Sequence, residues 1–497
     1  MIFKLKALIR LSGKVEKESI EKIVNSANAT ILKKGSGKGK GANISNWKID
    51  DEKLSFEINS DEYVRAHDAL IRFRKLLDNE LGKKFKVGVR EIYGDEYRIE
   101  FEVEKIPKKE IKVPFVKEIK FADGKCFLLM EDINEEMLYE KYVDRLLSLI
   151  KDKINAQYYE GKEEYWELIW QSKEKKIFYN DDSSEEMLKR GWLKRGPSQG
   201  QFFYMPKATA IMRAMENIAI KEILDALGYD EIIAPKLTTF EIWEKTGHLS
   251  GVQPELYYVS PPQKREKEFW EYPTDLYKIS KKAPVEEIQK RIKLPIGGLC
   301  YAQCPPFFWA FQGKTIPNDE LPLLLYDRSG PSFRWESGGK HGIERVNEFH
   351  RIEIVFVGTP NQVGEAKDKL MDRFKYIFEE IMEIEWRIAR VTPFYMQQAG
   401  ELGLEEEKLK GTIDFEAYLP YKGREVWLEY QNLSIHGDRY TEAFNIKAQK
   451  GILWSGCSGI GLERWTAVFL SQKGFEKDNW PKKFREYMKE CREIRFF

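Results

Sequence analysis

The sequence predicts an α+β protein that is divided into two domains. Its 497 residues suffice for about two or three domains of ordinary size. Along the first 130 residues, strand-like alternation and helical periodicity are mixed without a regular β–α–β order. After Gln201, longer helices alternate with strands that are apolar on both faces or nearly so, which is typical of a buried central sheet. These observations predict a smaller α+β domain followed by a larger domain built around a sheet.

The first domain is predicted to span residues 1–170. Strands are predicted at MIFKLKALIRLS, LSFEIN, EYRIEFEVEKI and IKVPFVKEIKF, where apolar and polar residues alternate. A helix is predicted from Ser60, whose side chain can cap its first turn. A second helical stretch begins at Asp132, with Glu135 at capping-box spacing, and continues with interruptions to about Gln171.

The second domain is predicted to span residues 201–497. The polar segment 171–200, which contains Gly, Ser and Pro, is predicted to be a linker. The helix IMRAMENIAIKEILDAL ends near Gly228 and leads to a strand that Pro235 stops. Further along, SFRWESGGKHGIERVNEFHRIEIVF predicts two strands joined by a Gly-rich loop, and LWSGCSGIGLERW predicts a strand that leads into a helix.

Composition and charge narrow the class of protein. Hydrophobic residues make up 42% and charged residues 33%, with a net charge of +1, as in ordinary soluble globular proteins. Few cysteines, no signal-peptide pattern and no apolar run of about 18 residues predict a cytoplasmic protein without a membrane span. Residues 1–90 contain 20 Lys and Arg against 12 Asp and Glu, a balance of +8. This basic first domain predicts binding to a polyanion.

The five cysteines leave three interpretations open. GGLCYAQCPP places Cys300 and Cys304 four residues apart, and the other cysteines are Cys126, Cys457 and Cys491. No second pair follows at zinc-finger spacing, so a closed four-cysteine zinc site is not indicated. Spacing alone is compatible with part of a metal site, a redox pair or two buried thiols.

The predicted hairpin at 332–356 carries groups that suit a nucleoside triphosphate and a carboxylate. Arginine offers a planar fork for phosphate or carboxylate oxygens, and phenylalanine offers a flat face for a base. Residues two apart on a strand share a face. The relevant side chains are Arg334, Glu336, Arg345, Phe349, Arg351 and Glu353. On these residues alone, a hairpin with a solvated charged face is the alternative.

The glycine-rich segment LWSGCSGIGLERW is a second, weak indication of a phosphate site. Its three glycines allow a strand to approach a ligand closely before a helix begins, with Arg464 in the first turn. Helix N-termini favour phosphates. The segment is neither a Walker loop, because no Lys-Ser/Thr follows the glycines, nor the G-x-G-x-x-G of dinucleotide folds.

Together and in this order, three features resemble the signatures of class II aminoacyl-tRNA synthetases: the long helix with the strand ending at Pro235, the F-R-x-E hairpin, and the glycine run ending in Glu463-Arg464. This resemblance covers about residues 201–480. Over the whole chain, the sequence resembles the atypical, zinc-dependent seryl-tRNA synthetases of methanogenic archaea. The supporting segments are EKTGHLSG, CYAQCPP, FRWESGG, RVNEFHRIE, LEYQNLS and SGCSGIGLERW. The first 130 residues lack the sustained heptads of the coiled coil that begins ordinary seryl-tRNA synthetases.

The resemblance implies a fold, a reaction and partners. The fold is a class II antiparallel sheet flanked by helices, with a small helical insertion at about 393–411 and a separate N-terminal α+β tRNA-binding domain. The implied enzyme is a cytoplasmic homodimer that activates L-serine with ATP to seryl-adenylate and transfers serine to tRNASer. Whether tRNASec is also charged is open. The alternatives are an amino acid:carrier-protein ligase, which lacks a tRNA-binding domain, and a non-catalytic tRNA-binding paralogue.

The resemblance also implies a catalytic zinc ion held by two cysteines and a glutamate. These ligands fall on Cys304, Glu353 and Cys457. Three protein ligands leave the fourth tetrahedral position open, and in the family the α-amino group of serine takes it. The remaining cysteines, Cys300 among them, are then interpreted as buried thiols.

For ATP, the resemblance assigns contacts on both sides of the nucleotide, together with Mg²⁺ at Glu429. Arg334 holds the α-phosphate and the serine carboxylate, and Glu336 lies beside the adenosine. Phe349 and Arg464 stack on opposite faces of adenine. The implied ATP-binding residues are Arg334, Glu336, Arg345, Val346, Phe349, Glu429, Asn432 and Arg464. Arg334, Glu336 and Arg464 are assigned to catalysis.

For serine, the resemblance assigns a pocket beside the zinc ion. The implied residues are Ala302, Arg334, Arg351, Glu353, Gln398, Asn432 and Ser434. Gln397 is the alternative to Gln398, since one sequence does not decide which glutamine closes over serine. His248 lies near the pocket by family position, with a structural histidine as the alternative interpretation.

For tRNA, the basic groups of the first domain are the predicted contacts. Arg65, Arg72 and Lys75 fall on one helical face at offsets of seven and ten. The loop KKGSGKGKG is cationic and suits phosphate contacts, here through Lys38 and Lys40. A solvated helix face and a mobile loop are the alternative.

Overall fold

The computed structural model describes residues 1–37, 40–157, 166–336, 342–391, 411–423, 425–492 and 494. The chain divides into two compact units, Met1–Glu163 and Glu164–Phe497. Within the described ranges, no helix combines the length and the apolar character that a membrane crossing requires. The predicted helical insertion at 393–411 lies outside the described residues, apart from Gly411.

Among its described residues, the first unit is an antiparallel sheet of six strands with helices packed on one face. Along β1, Phe3, Leu5, Ala7 and Ile9 are buried and alternate with more exposed residues, and helix α2 packs over this buried face. The strand order is β2–β3–β1–β4–β6–β5. The elements are β1 Ile2–Leu11, α1 Lys17–Ala29, β2 Asn43–Asp50, β3 Lys53–Asp61, α2 Ala66–Phe85, β4 Val89–Glu102, β5 Val116–Ala122, β6 Lys125–Met130, α3 Glu135–Tyr139 and α4 Tyr142–Ala156.

The four strands predicted for this unit are confirmed, but both predicted helix starts are wrong. Ser60 lies in β3, paired with Phe3, and α2 begins only at Ala66. The alternating pattern before Ser60 continues through it, so strand pairing takes precedence over capping. Helix α3 is capped by Asn134, whose side chain accepts the backbone N–H of Met137; Asp132 does not cap it.

The second unit is built on a nine-stranded sheet in the described part of the chain. Its order is β10–β15–β17–β22–β20–β19–β18–β7, and β16 also pairs with β17. Among the described strand pairs of this sheet, only β10–β15 is parallel. The sheet strands are β7 Trp166–Gln171, β10 Asp230–Glu231, β15 Leu323–Asp327, β16 Pro331–Phe333, β17 Glu348–Gly358, β18 Trp386–Val391, β19 Thr412–Tyr418, β20 Trp427–Gly437 and β22 Trp454–Gly461. The predicted α+β class with an antiparallel sheet is confirmed.

Shorter strands and the helices surround this sheet. The short strands are β8 Leu193–Arg195, β9 Phe202–Tyr204, β11 Leu237–Thr239, β12 Tyr258–Val259, β13 Gly297–Leu299, β14 Thr315–Ile316 and β21 Lys447–Ala448. The helices are α5 Ser183–Lys189, α6 Pro206–Ala219, α7 Phe240–Thr246, α8 Lys267–Ser280, α9 Val285–Gln289, α10 Cys304–Ala310, α11 Pro360–Tyr376, α12 Arg439–Ala443, α13 Leu462–Lys473 and α14 Lys482–Arg485. As predicted, the first long helix, α6, leads through a further turn to Gly228 in the left-handed region.

The two faces of the central sheet have different environments. Ile352, Ile354 and Phe356 of β17 belong to the large core that also includes residues of α6, α11 and α13. Because side chains alternate along a strand, Arg351 and Glu353 point to the opposite face. The polar groups of the second unit therefore collect on the sheet face away from this core.

The segment 171–200 is not a linker, and that prediction is wrong. The backbone N–H of Ser172 donates to Trp386, and that of Phe178 donates to Gln472. Helix α5 packs against α13. The polar composition that suggested a linker instead supplies local bonds, as where the Asp182 side chain caps α5. The two units divide at Glu163 and Glu164.

Candidate nucleotide and metal site

Three adjacent strands position the site, with β22 hydrogen-bonded between β17 and β20. Glu353 of β17 lies opposite Gly459 of β22, which in turn lies opposite Asn432 of β20. A Cβ atom at position 459 would overlap the Arg351 guanidinium, so the absent side chain is what lets Arg351 lie across β22. Glycine at this position is therefore a packing requirement.

A cleft of about 600 Å³ opens on this face. All eight residues predicted to bind ATP line it, together with Arg351. The lining also includes Ile343, Glu344, Tyr430, Gln431, Gly459, Gly461 and Glu463. The structure thus brings together two sequence segments, the hairpin and the glycine run, that were predicted to act jointly.

The arginines in the cleft are held in place by backbone groups and rings. Arg464 donates from Nε to the Glu344 carbonyl at 3.1 Å and from Nη1 to the Glu429 carbonyl at 2.7 Å. The Arg334 guanidinium lies 4.4 Å from the ring centroid of Tyr301. Tyr301 in turn donates its hydroxyl to Glu255 at 2.6 Å. Such fixed arginines are preorganised for an anionic ligand.

Asn347 is a buried residue of this cleft region that the sequence analysis missed. Its backbone carbonyl accepts the N–H of Arg334 at 2.9 Å, and its side chain accepts the N–H of Glu336 at 3.1 Å. The predicted strand β16 ends at Phe333, so these two residues lie beyond it. Hydrogen bonds to Asn347 therefore take the place of strand pairing here, and they hold Arg334 and Glu336 beside the start of β17.

Cys304, Glu353 and Cys457 form a buried cluster whose ligand atoms all lie within 4.8 Å of one another. Cys304 begins α10, Glu353 lies in β17 and Cys457 lies in β22. Two thiols and a carboxylate are the donor types that zinc prefers. Among the described residues, Oε1 of Glu353 has no hydrogen-bond partner, and Oε2 is ion-paired with Arg351 outside hydrogen-bond geometry, so Oε1 at least is available to a cation. The donor set and its burial fit a zinc ion.

Burial and a neighbouring positive charge have opposite effects on the pKa of Glu353 in this cluster. Burial raises the pKa of Glu353, and the nearby Arg351, with Nε 2.7 Å from Oε2, opposes that rise. The pKa of Cys457 is raised well above its usual range by a hydrogen bond with Cys304 and by burial. Metal binding to such groups requires deprotonation and releases protons.

Cys300 lies outside the cluster, as predicted for a buried thiol. It is fully buried, and its thiol donates to the carbonyl of Ala302 at 3.1 Å. Burial raises the pKa of Cys300 to about 12. A protonated, satisfied thiol is a poor metal ligand.

Two of the residues predicted to bind serine are buried on this face. Ala302 and Ser434 are buried, and Ser434 shares a hydrogen bond of 2.8 Å with Thr412. Ser434 lies directly opposite Cys457 in the strand pairing. Gln397 and Gln398 lie outside the described residues. The structure therefore places Ser434 next to the cluster, and the serine contacts, the two glutamines included, stay a prediction.

Two buried histidines lie close to this region. His248 shares a hydrogen bond of 2.7 Å with Thr246, and burial, with Arg439 and Arg334 nearby, lowers its pKa to about 4. This geometry favours the structural interpretation of His248. His436 lies beside Cys457, which spacing along the sequence did not indicate.

In the first unit, the predicted tRNA contacts have different surroundings. Arg65 forms an ion pair with Asp144, and Arg72 donates to the carbonyls of Ile31 and Lys34 at 3.1 and 2.7 Å. Arg72 thus anchors the start of the Gly/Lys loop to α2. Lys40 and Lys75 are exposed, and Lys38 lies outside the described residues. Exposed ammonium groups are suited to phosphate contacts.

Comparison with known proteins covers both units. A tRNA-binding domain family matches residues 1–152, and the tRNA synthetase class II core domain (G, H, P, S and T) matches residues 299–473. The chain is 47% identical to the type-2 serine–tRNA ligase of Methanothrix thermoacetophila, over all of both chains. It is also 47% identical to the protein of that name from Methanococcoides burtonii, over 97% of this chain and 96% of the relative.

Solved structures agree with these matches. The M. kandleri SerRS crystallised with A. aeolicus tRNASec superposes with a TM-score of 0.86 and 29% identity, covering 98% of this chain and 96% of that chain. A cytoplasmic serine–tRNA ligase from Naegleria fowleri, in complex with AMP, matches with a TM-score of 0.50 and 17% identity. It covers 71% of this chain and 81% of that chain, and at this identity the likeness concerns the fold alone.

Proposed function

The chain belongs to the type-2 serine–tRNA ligases, and from this premise we propose how its residues activate serine and charge tRNASer. Serine and ATP form seryl-adenylate and pyrophosphate, and the seryl group then passes to tRNA with release of AMP. The carboxylate of serine attacks the α-phosphorus in line, so no protein nucleophile is needed. Catalysis then consists of positioning and stabilisation of charge.

Arg334 binds the α-phosphate and the serine carboxylate in this proposal. What supports the assignment is a guanidinium that stacks on Tyr301 and a backbone that Asn347 holds, both in the wall of the cleft. A fixed arginine costs little reorganisation when charge develops on the phosphate oxygens. Glu336, from the same segment, contacts the adenosine.

Phe349 and Arg464 bind the two faces of adenine. Arg464 is suited to this because two backbone carbonyls hold its guanidinium in a defined plane. Arg345 takes the triphosphate tail, and Glu429 binds Mg²⁺ with it. A carboxylate and phosphate oxygens are the ligands that Mg²⁺ prefers.

Cys304, Glu353 and Cys457 would hold zinc, which when bound would supply a Lewis acid for the deprotonated α-amino group of serine. Arg351 offsets the negative charge of the thiolates and of Glu353. Ser434, Asn432 and Ala302 complete the pocket around the serine side chain, and Gln398 or Gln397 closes over it.

One observation carries the proposal: the cleft and the buried cluster adjoin on one sheet face. Arg351 lines the cleft while Glu353, two residues further on β17, belongs to the cluster. On β22, Gly459 lines the cleft and Cys457 belongs to the cluster. A substrate whose carboxylate meets the α-phosphate would therefore place its amine toward the metal ligands, as an α-amino acid requires.

The first unit binds tRNA in this proposal. The match of residues 1–152 to a tRNA-binding domain and the exposed lysines support this. tRNASer is the expected substrate. tRNASec is a second one to test, because the M. kandleri relative was crystallised with it. A homodimer and a cytoplasmic location complete the proposal.

ATP–pyrophosphate exchange with each amino acid in turn tests the assignment. Serine should support exchange far above the other amino acids, a zinc-selective chelator in the presence of excess Mg²⁺ should abolish it, and added zinc should restore it. Exchange that depends on another amino acid, or that survives complete removal of zinc, would contradict the proposal.

A further inference from the structure

His436 occupies an irregular position in strand β20. Ile435 pairs with Gly456 and Gly437 pairs with Ser455, so His436 is an extra residue between two regular pairs. Bulges of this kind redirect a side chain, and they occur often beside functional sites. The extra residue turns the imidazole toward β22.

The ring spans two residues of β22. Its Nδ1 lies 3.2 Å from the Ser455 hydroxyl oxygen, and its Nε2 lies 3.3 Å from the Cys457 sulfur. Ser455 and Cys457 are two apart on one strand and therefore face the same side. A single ring can reach both because its two nitrogens lie on opposite sides of the ring.

The ring is also held by its packing. Its centroid lies 4.6 Å from that of Tyr440 and 6.2 Å from that of Phe308. Only 5% of His436 is exposed. These contacts limit rotation of the imidazole away from Cys457.

His436 is not one of the clustered ligands. Among the described residues, the group whose ligand atoms all lie within 4.8 Å of one another is Cys304, Glu353 and Cys457. The imidazole therefore contacts Cys457 from outside this group.

We propose that His436 is a positioning residue for the metal, with its Nε2–H donating a hydrogen bond to the Cys457 thiolate. This inference rests on the proposed zinc site. A neutral imidazole has one donor and one acceptor nitrogen, and a thiolate can only accept. The Ser455 hydroxyl can donate to Nδ1. One tautomer, with its proton on Nε2, therefore satisfies both partners.

Two effects follow from this hydrogen bond. It fixes the direction in which the Cys457 sulfur points, so the ligand is oriented before metal arrives. It also draws electron density away from the sulfur. Partners of this kind behind a ligand typically change metal affinity by 10- to 100-fold when they are removed.

Cobalt(II) binding to the full-length protein tests the inference without an activity assay. In H436F, cobalt affinity should fall by about 10- to 100-fold. Its thiolate-to-cobalt charge-transfer band should move to longer wavelength, because the sulfur has lost the hydrogen bond. H436Q should stay close to the wild type, since the glutamine amide offers a donor at the reach of Nε2. H67F, at a buried histidine of the first unit, is the matched control and should bind cobalt like the wild type.

A cobalt affinity and a band position in H436F equal to those of the wild type would overturn the inference and leave the zinc site standing. A wild-type protein that takes up no cobalt or zinc overturns both.

A measurement on the wild type covers the case in which H436F does not fold. The chain has five histidines, so ¹⁵N-histidine labelling of the cadmium-loaded protein gives few signals. A proton bound to Nε2 of His436, the nitrogen that faces the Cys457 sulfur, supports the inference. A proton on Nδ1 overturns it, because Nε2 could then not donate.

Discussion

The Nε atom of Arg351 lies 2.7 Å from a carboxylate oxygen of Glu353, at a point where Glu353 is fully buried and Arg351 nearly so. Removing one partner of a buried ion pair leaves an uncompensated charge or forces its neutralisation. Arg351 is therefore expected to stabilise the charged form of Glu353, although it need not touch the metal.

Replacing Arg351 by methionine should lower kcat/KM for serine in pyrophosphate exchange by at least about tenfold, because Glu353 would then favour its protonated form. The kcat/KM of R351K should lie between those of R351M and the wild type, since an ammonium keeps the charge but lacks the planar fork. Exchange kinetics with varied serine measure this. Equal kcat/KM in R351M and the wild type would mean that the ion pair is dispensable.

The two cysteines of CYAQCPP should behave differently. C304A and C457A should lose bound zinc and serine activation together, because each would remove one of the three proposed ligands. C300A should keep both zinc and serine activation, since the Cys300 thiol that it removes is hydrogen-bonded to the Ala302 carbonyl and lies outside the cluster. Metal analysis of the purified variants decides. Zinc-free C300A beside zinc-loaded C304A would reverse the assignment.

Removing the first unit should separate activation from tRNA charging. A chain that begins at residue 164 should still form seryl-adenylate, yet charge tRNA very poorly. A chain that begins at 172 lacks strand β7, which pairs with β18, and should be clearly less stable. Thermal unfolding and tRNA aminoacylation of both chains measure these effects. Undiminished tRNA charging by the chain that begins at residue 164 would show that the N-terminal unit does not bind the substrate tRNA.

Acid should destabilise the second unit through His248. Burial lowers the pKa of His248 to about 4, whereas an unfolded histidine titrates near its ordinary value of 6.5. Between these two pKa values the unfolded state binds a proton that the folded state does not. The stability that neutral His248 contributes is therefore fully present above pH 6.5 and is lost as the pH falls toward 4. The contribution of one such group is about 3 kcal/mol at most.

Denaturant unfolding of metal-free protein at several pH values checks this, since metal release would otherwise add to the loss. Of the 13 tryptophans only Trp47 lies in the first unit, so fluorescence reports mainly on the second. H248N should lose less stability than the wild type between pH 7 and pH 4. Parallel losses in the two proteins would remove His248 as a cause.

Selection of serine should depend on the pocket and not on the metal. A zinc-bound amine does not distinguish serine from threonine or alanine. A tight pocket excludes the extra methyl of threonine, and a site that hydrogen-bonds the hydroxyl can reject alanine by ~10⁴ or more. Free cysteine should inhibit competitively, because its thiol is also a zinc ligand. Threonine activated within about tenfold of serine would contradict this account.

The residues of the cleft were implied by the family resemblance, and strand periodicity supported only the part of the assignment that lies on β17. Phe349, Arg351 and Glu353 alternate along β17, so their joint position followed once the strand was recognised. His436 was not predictable, because a bulge in β20 shifts its direction and leaves no mark in the spacing. The 171–200 segment misled for another reason. Its polarity is that of caps and turns within a folded unit, which resembles that of a linker.

The order of the strands has a consequence for synthesis on the ribosome. β7 is the first strand of the second unit to be made, yet its partner β18 begins only at Trp386. The N-terminal unit has all of its sheet strands once Met130 has been made, and it can fold while translation continues. β7, with Trp166, Leu168 and Ile169 exposed even in the folded chain, must wait unpaired for more than 200 residues. The nascent chain therefore carries an open apolar edge throughout most of the translation of the catalytic unit, and chaperone binding is expected to concentrate there.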